Sequence, residues 1–571
     1  MKKDMTQKGM WKRTVGLFTH ISIPWPLYLL QVVLGIAATK VSLLYVPYAT
    51  DLQLGNLDDI STVWMYVGLM LLSVVMSILD RIPTFYASAV VARNLQGKLI
   101  SRSVRLPMRA FERSGSQIVS WITQDCTFAD GLLTTVIGFI TGMAATYMSV
   151  TTMSAIDTSM LFLVPFILVY VIFSTWFAGK VLFLRQRRAR RAYAELTAYL
   201  SEHLSFFTQI KQLHSQNEEL SRGRKAIKDF YDAEIYQAVL TLAGSLVDGS
   251  LTNIISILIF VLGVPMVNNG KMSITELAAF QSYVLIAYQS LSSLPSLYTQ
   301  FMYYNGQLFY ISGLMAEKEE VYQRQSTMDQ KDQDLVFENV SFAYGENPVI
   351  QNVSFTVPKG QVTLIAGPNG SGKTTLFKLI ERFYTPNGGV LRFGDQDAET
   401  IHLQEWRQSI AYVLQDPQLF NGTIRDNINY GMSRPVTQEE TESAAKLACA
   451  DEFIRELPGG YDFVIGENGC RLSGGQRQRI AIARAVMVDP AYLLLDEATC
   501  SMDVFAEKAV NKALRGLMQG RTTVMISHDM KMLDQADHVV VLNRGVVEAE
   551  GTREEAIASS DLLRRMVEAN S

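Results

Sequence analysis

Six segments of mostly apolar residues constrain this chain more than anything else in it, because a helix needs about 20 such residues to cross the hydrocarbon core of a bilayer. They centre on Leu27 to Val46, Ile60 to Leu79, Leu132 to Ile156, Met160 to Ala178, Gly249 to Val267 and Leu277 to Tyr304. Charge between them alternates. The joint from the second to the third span carries Arg93, Lys98, Arg102, Arg105, Arg109 and Arg113, and that from the fourth to the fifth carries Lys180, Arg185, Arg187, Arg188, Arg190, Arg191 and Lys211. The other three joints are short, with Lys271 their one basic residue. By the positive-inside rule the N-terminus, both long joints and everything after the sixth span are cytoplasmic. Lys2, Lys3, Lys8, Lys12 and Arg13 therefore read as the cytoplasmic edge of the first span, and the apolar run behind them continues too far for a cleaved signal peptide.

Both long joints read as helical continuations of the spans that reach out of the bilayer. Between Leu106 and Glu112, Pro107 ends one helix and a short amphipathic one begins, either a surface elbow or a contact helix for another domain. Lys40 in the first span and Asp248 beside the fifth are costly in lipid unless they snorkel to an interface. The sixth span is polar and aromatic from Gln281 through Tyr283, Tyr288, Gln289, Tyr298 and Tyr303 to Tyr304. That composition suits the wall of a wet cavity for an amphipathic cargo, or hydrogen bonding between helices.

At 571 residues the chain exceeds one ordinary domain. A formal net charge of -4 gives no support to nucleic-acid binding. Cys126, Cys449, Cys470 and Cys500 are scattered without metal-ligand spacing and read as reduced thiols. Glu317 to Asp334, charged and glutamine-rich, reads as a connector. Beyond it strands (Leu335 to Phe342, Val353 to Val357, Val362 to Ala366, Tyr492 to Leu495, Thr523 to Ile526) alternate with helical segments, as in an α/β domain.

Four elements in that half carry chemistry. The run Val362 to Ala366 leads into Gly367, Pro368, Asn369, Gly370, Ser371, Gly372, Lys373 and Thr374, which fits G-x-x-x-x-G-K-[ST]. Glycines let backbone amides close around phosphates, the next helix aims its N-terminus at them, Lys373 reaches the β and γ phosphates, and Thr374 can bind Mg²⁺. Leu472, Ser473, Gly474, Gly475 and Gln476 open a helix whose N-terminus offers amide and hydroxyl donors to an anion, or an ordinary serine cap. The apolar strand from Tyr492 ends in Asp496 and Glu497; the first can hold Mg²⁺ through water and the second can orient or deprotonate an attacking water. Finally, the strand Val524 to Ile526 delivers His528, where a polar ring could meet a γ-phosphate or simply cap the strand.

In this order behind six spans, these elements resemble the ABC transporters, specifically exporter-type half-transporters that fuse one membrane domain to one nucleotide-binding domain. The resemblance covers essentially the whole chain. It implies an all-α six-helix transmembrane domain over 1–316, a linker over 317–334 and an α/β P-loop ATPase domain over 335–571. It implies that Gly367 to Thr375 form the Walker A loop, with Thr375 joining the nucleotide contacts, and that Leu472 to Gln476 are the signature. Asp496 then ends the Walker B strand and Glu497 is the catalytic glutamate. By the same resemblance Tyr344 stacks on adenine, Gln415 is the Q-loop glutamine near Mg²⁺ and the lytic water, Asp503 belongs to the D-loop and His528 is the switch histidine. Leu106 to Glu112 and Glu202 to Gln216 resemble the two coupling regions. The segment Ala498, Thr499, Cys500, Ser501, Met502 and the Asp529 that follows His528 depart from the usual residues, and neither departure touches a catalytic role.

The resemblance further implies ATP and Mg²⁺ as cofactors and a second half-transporter subunit, because ATP is sandwiched between the Walker A loop of one subunit and the signature of another. A homodimer is the simpler expectation, a heterodimer the alternative. The leading function is export or flopping of an amphipathic molecule such as a drug, lipid or peptide across a bacterial plasma membrane. An importer on the same scaffold, as in some siderophore systems, and a non-transporting membrane ATPase regulator are the alternatives.

Overall fold

The structure, a computed structural model, describes residues 7–55, 60–177, 183–320, 326–328, 333–497, 504–527 and 530–570. The chain divides into two compact units: Met1–Val104 with Ser114–Glu317, and Arg105–Arg113 with Lys318–Ser571.

The first unit is helical. Its helices are α1 (Gln7–Thr19), α2 (Trp25–Gln53), α3 (Ile60–Ser103), α4 (Met108–Ser120), α5 (Thr127–Ile156), α6 (Leu163–Phe177), α7 (Phe183–Ser205), α8 (Phe207–Gln212), α9 (Gln216–Asn268), α10 (Ile274–Ser292) and α11 (Leu294–Ala316). The first turns of α4 fall in the second unit. Among the described residues four helices, α2, α3, α5 and α9, are long and apolar enough to cross a bilayer. The expected fourth span is a 3-10 turn, Ser159–Phe162, running into the 15 residues of α6. The expected sixth span has a gap in its hydrogen-bond ladder next to Ser293, where the backbone itself stays helical (φ -75°, ψ -22°). Pro295 brings no N–H to the helical ladder, and the Ser292 and Ser293 hydroxyls turn back on the carbonyls of Gln289 and Ser290, so α10 gives way to α11 at Ser293.

Helical continuation beyond the spans is borne out by α3, with 44 residues, and α9, with 53. At 1.5 Å per residue these are about 66 and 80 Å long, over twice a hydrocarbon core. Pro107 follows the end of α3 and precedes the start of α4, which is longer than the short helix expected at 106–112. The segment 202–216 folds as the end of α7, the short α8 and the start of α9. Along α10, Leu277, Phe280, Val284, Ala287 and Leu291 are buried at helical spacing. Large apolar side chains such as Leu29 (65% exposed), Val33 (62%), Trp64 (70%) and Ile78 (58%) face outward, which water would penalise and lipid does not.

The second unit is built on two sheets. Strands β1 (Leu335–Tyr344), β2 (Asn347–Val357), β4 (Gly388–Phe393) and β5 (Gln396–Asp397) form an antiparallel sheet in the order β2-β1-β4-β5. Strands β3 (Val362–Ala366), β6 (Ile410–Val413), β7 (Tyr492–Asp496), β8 (Thr522–Ile526), β9 (His538–Asn543) and β10 (Val546–Gly551) form a second sheet in the order β10-β9-β3-β8-β7-β6. Its pairs are parallel except β9 with β10. The near-continuous burial of β3, β7 and β8 is what a parallel sheet covered on both faces requires. One apolar cluster, with Leu493, Leu495, Ile480 and Ile482, packs on one side, and another, with Phe377, Trp406, Leu494 and Val524, on the other. Alternate residues of β7 thus serve opposite layers, fixing the strand's rotation and with it the aim of the carboxylates at its end.

Candidate active site

Ligands of open α/β sheets bind beyond the carboxyl ends of the parallel strands, and there the chain gathers its reactive groups. From β3 the backbone enters the loop Gly367–Gly372, then the helix Lys373–Ile380. Two glycines are sterically required. Gly367 has φ 151°, and a Cβ there would lie 2.1 Å from the Leu542 carbonyl oxygen; Gly372 has φ 110°, and a Cβ would meet Ile350 Cδ1 at 2.6 Å. Lys373 is buried, and its Nζ donates to the carbonyls of Gly367 (2.7 Å) and Pro368 (3.0 Å), arching over the loop. Burial holds this ammonium below the usual lysine range, opposed by the Glu497 and Asp496 carboxylates.

The loop fits a phosphate chain. The Ser371 side chain is only 2% exposed, and its Oγ has no hydrogen-bond partner among the described residues. Such an orphan is costly unless something binds there. Asn369 and Thr374 are exposed, so the Thr374 hydroxyl is open to a ligand or metal, while Thr375 is buried beneath. No group of three His, Cys, Asp or Glu side chains that could hold a metal occurs among the described residues. The exposed Thr374 hydroxyl and the Asp496 carboxylate are donors that suit Mg²⁺, which takes most of its ligands from phosphate and water and needs one or two protein oxygens.

At the end of β7 the two carboxylates diverge. The Tyr412 hydroxyl, from β6, donates to Asp496 Oδ2 at 2.9 Å. Gln415 Nε2 donates to Glu497 Oε2 at 3.0 Å. Glu497 itself has φ 45°, a left-handed conformation that costs a non-glycine residue about 1–2 kcal/mol. Its backbone N–H donates to the Ile526 carbonyl at 2.9 Å, pinning this strained residue to β8. Lys373, Asp496, Glu497 and Gln415 are thereby brought together. Tyr412 was not singled out from sequence; its position, three residues before Gln415 on an apolar strand, marks it only as core.

Tyr344, the last residue of β1, is held edge-on by Tyr384 (5.2 Å between centroids) and Phe342 (4.9 Å). Ser473 caps the helix Gly474–Val488 in a reciprocal box with Gln476: Gln476 N donates to Ser473 Oγ at 3.2 Å, and Ser473 N to Gln476 Oε1 at 2.9 Å. The serine-cap reading is therefore met, and the cap presents the amides of Gly474 and Gly475 at the helix end. Among the described residues no hydrogen bond joins 473–476 to the loop 367–375 within the chain. The same helix is tied to the Gln415 loop: the fully buried Gln478 donates to the Leu414 carbonyl at 3.2 Å. His528 and Asp503 lie outside the described residues.

In the first unit, Tyr283 and Tyr288 are buried, and the Tyr283 hydroxyl donates to the Leu43 carbonyl at 3.2 Å. Here a polar residue of the sixth segment bonds across helices. Tyr298 instead opens on a cleft of about 770 Å³ with Phe139, Met143, Tyr147, Leu168 and Trp176. Lys40 is exposed. Sequence reading passed over Asp130, which is buried and accepts the Tyr28 hydroxyl at 2.6 Å. It lies two residues outside the expected third span, where apolar length alone does not mark it as an intramembrane charge.

Residues 350–500 match the family described as ABC transporter, and residues 27–291 match the ABC transporter transmembrane region. A multidrug resistance ABC transporter ATP-binding and permease protein of Lactococcus lactis subsp. cremoris (strain MG1363) is 27% identical over 491 residues, 84% of this chain and 81% of that protein. An uncharacterized ABC transporter ATP-binding protein of Bacillus subtilis (strain 168) is 32% identical over 484 residues, 81% of this chain and 77% of that protein. The solved structure of a bacterial Atm1-family ABC exporter with ATP bound has the same fold, with a TM-score of 0.81, 23% identity and 99% of each chain covered. With both regions matched and a relative spanned along most of its length, this chain belongs to the ABC transporter family, as a multi-pass membrane protein whose permease and ATP-hydrolysing parts lie in one polypeptide.

Proposed function

We propose that the chain is one half of a dimeric ATP-driven exporter of an amphipathic molecule, with a membrane part over 1–316, a linker over 317–334 and an ATPase part over 335–571. The observation that carries this reading is the meeting of Lys373, Asp496, Glu497 and Gln415 at one edge of a parallel sheet, in a chain whose other part crosses a bilayer. The multidrug-resistance relative favours export, and the Tyr298 cleft suits the apolar or aromatic part of an amphipathic cargo.

In this reading Tyr344 stacks on adenine, and the amides of Gly367, Asn369, Gly370, Ser371 and Gly372 surround the phosphates with Lys373, Thr374 and Thr375. Mg²⁺ held by Thr374, Asp496 and Gln415 would neutralise charge between the β and γ phosphates. Tyr412 fixes one oxygen of Asp496. Glu497, steadied by Gln415 and by its strained backbone, takes a proton from the attacking water, and His528 meets the γ-phosphate. Ser473, Gly474, Gly475 and Gln476, with Asp503, act on the nucleotide of the other subunit; among the described residues the helix end at 473–476 makes no hydrogen bond to the chain's own loop, which suits that role. A homodimer is the simplest assembly, since Walker A, signature and Glu497 are all present. The N-terminus and the ATPase part face the cytoplasm of a bacterial plasma membrane.

The test is ATP-dependent uptake of a fluorescent amphipathic cation into inside-out vesicles containing the full chain. Accumulation that Glu497→Gln abolishes supports the reading. Movement of cargo out of such vesicles on adding ATP reverses the direction, and cargo-independent hydrolysis in lipid nanodiscs with no uptake removes transport altogether.

A further inference from the structure

Tyr344 is enclosed by groups that do not belong to the nucleotide site. Lys378, on the helix that begins with Lys373, places Nζ 5.7 Å from the centroids of both Tyr344 and Tyr384. Those rings meet edge to face, and Phe342 closes the cluster, 4.9 Å from Tyr344 and 5.3 Å from Tyr384. One side chain from elsewhere in the sequence holds the polar ends of this assembly. Glu112 accepts the hydrogen bond of the Tyr384 hydroxyl and lies 3.4 Å from Lys378 Nζ. It comes from the first turns of α4, in the segment Arg105–Arg113 that belongs to the second unit although membrane-unit helices flank it in sequence. A cleft of about 560 Å³ runs beside these residues, lined also by Pro107 and Arg109.

An aromatic ring is attracted to a cation over its face and to another ring's edge, so the angle of Tyr344 depends on where Lys378 and Tyr384 are held. Both are held by one carboxylate. The Tyr384 hydrogen bond and the Lys378 charge keep the Glu112 carboxylate below its usual range, so it is ionised at neutral pH, with Arg109 the other charge near the Tyr384 hydroxyl.

We propose that Glu112, acting through Lys378 and Tyr384, is a positioning residue for the adenine ring. This rests on the reading of Tyr344 as the adenine-stacking residue.

The experiment is a double-mutant cycle on the full chain in lipid nanodiscs, with Glu112→Ala, Tyr344→Leu and the pair, reading KM for ATP separately from kcat. Glu112→Ala is expected to raise KM about fivefold with kcat within about twofold, and to add little in the Tyr344→Leu background, as coupled neighbours do. Ribose triphosphate, which has no base, should show no Glu112 effect; a general loss of folding would move both substrates. Tyr384→Phe, which removes one hydroxyl, should reproduce the KM rise and serves if Glu112→Ala does not assemble. An unchanged KM in both Glu112→Ala and Tyr384→Phe, with KM raised by Tyr344→Leu, overturns the positioning role of Glu112 and leaves Tyr344 in place. Additive effects in the pair overturn it as well. If Tyr344→Leu itself leaves KM unchanged, the stacking assignment falls and the proposal with it.

Discussion

The two units favour different ways of satisfying hydroxyl side chains, although α10 also starts in a capping box at Ser273, and Thr441 and Ser559 also bond four residues back. In the membrane unit the hydroxyls of Thr39, Ser42, Thr84, Thr141, Thr146, Ser256, Ser282 and Ser290 donate to the carbonyl four residues back on their own helix. In the ATPase unit Thr423, Thr437, Ser473 and Thr552 instead sit at helix starts in reciprocal capping boxes. Without water, a mid-helix hydroxyl has its own backbone as the nearest acceptor, whereas a helix that starts in water or loop gains most where its first N–H groups are orphaned. The apolar residues invert in parallel: Leu29 and Val33 face outward in one unit, while Phe377 and Trp406 are wholly enclosed in the other. Burial therefore means different things in the two units. In one it measures helix contact, in the other exclusion of water.

The strongest challenge to that contrast is a pair of truncations. Phe377→Ala, in the enclosed core, should destabilise the ATPase unit by about 3–5 kcal/mol, whereas Ile78→Ala, on the outward face of α3, should cost about 0.5 kcal/mol or less. Thermal unfolding of both variants in nanodiscs checks this, and equal losses would show that Ile78 is covered by protein. Glu497→Gln should keep ATP binding and lower turnover by about a hundredfold or more, about 2.7 kcal/mol of barrier, as removal of a general base does; hydrolysis by purified protein reads it. Tyr412→Phe removes a single hydrogen bond to Asp496 and should raise the Mg²⁺ concentration needed for hydrolysis several-fold, about 1 kcal/mol. ATP binding without Mg²⁺ should stay as it was.

The smallest effect is on pH dependence. Burial raises the Glu381 carboxyl from 4.5 to about 7, with the Arg407 guanidinium opposing. A carboxyl raised on folding favours the folded state fully below its unfolded value, and that contribution is lost as pH climbs through about 7. Glu381→Gln should therefore narrow the difference in Tm between pH 6 and pH 8 by about 2 °C or more. No narrowing would show that Glu381 is ionised in the folded chain throughout that range.

Legibility also differed between the units. In the ATPase unit motifs mark Lys373, Asp496 and Glu497, each on a local device, a glycine loop or a strand tip, fixed by backbone chemistry, while Gln415 follows only from the family resemblance; the structure gathers all four. In the membrane unit hydropathy located apolar segments, but not the gap in the ladder next to Ser293, which depends on a proline and two serine hydroxyls acting together. Nor did it single out Asp130, whose meaning depends on Tyr28, 102 residues away.

By itself the sequence determined a bilayer-crossing part, a phosphate-binding loop and the order of the reactive groups, since periodicity, apolar length and glycine spacing act over a few turns of chain. Only the tertiary structure decided that Tyr412 holds Asp496, that Gln415 reaches Glu497, and that Glu112 meets Tyr384 and Lys378. The physical reason is that hydrogen bonds and ring contacts are set by distances between side chains far apart in sequence, which no local pattern encodes.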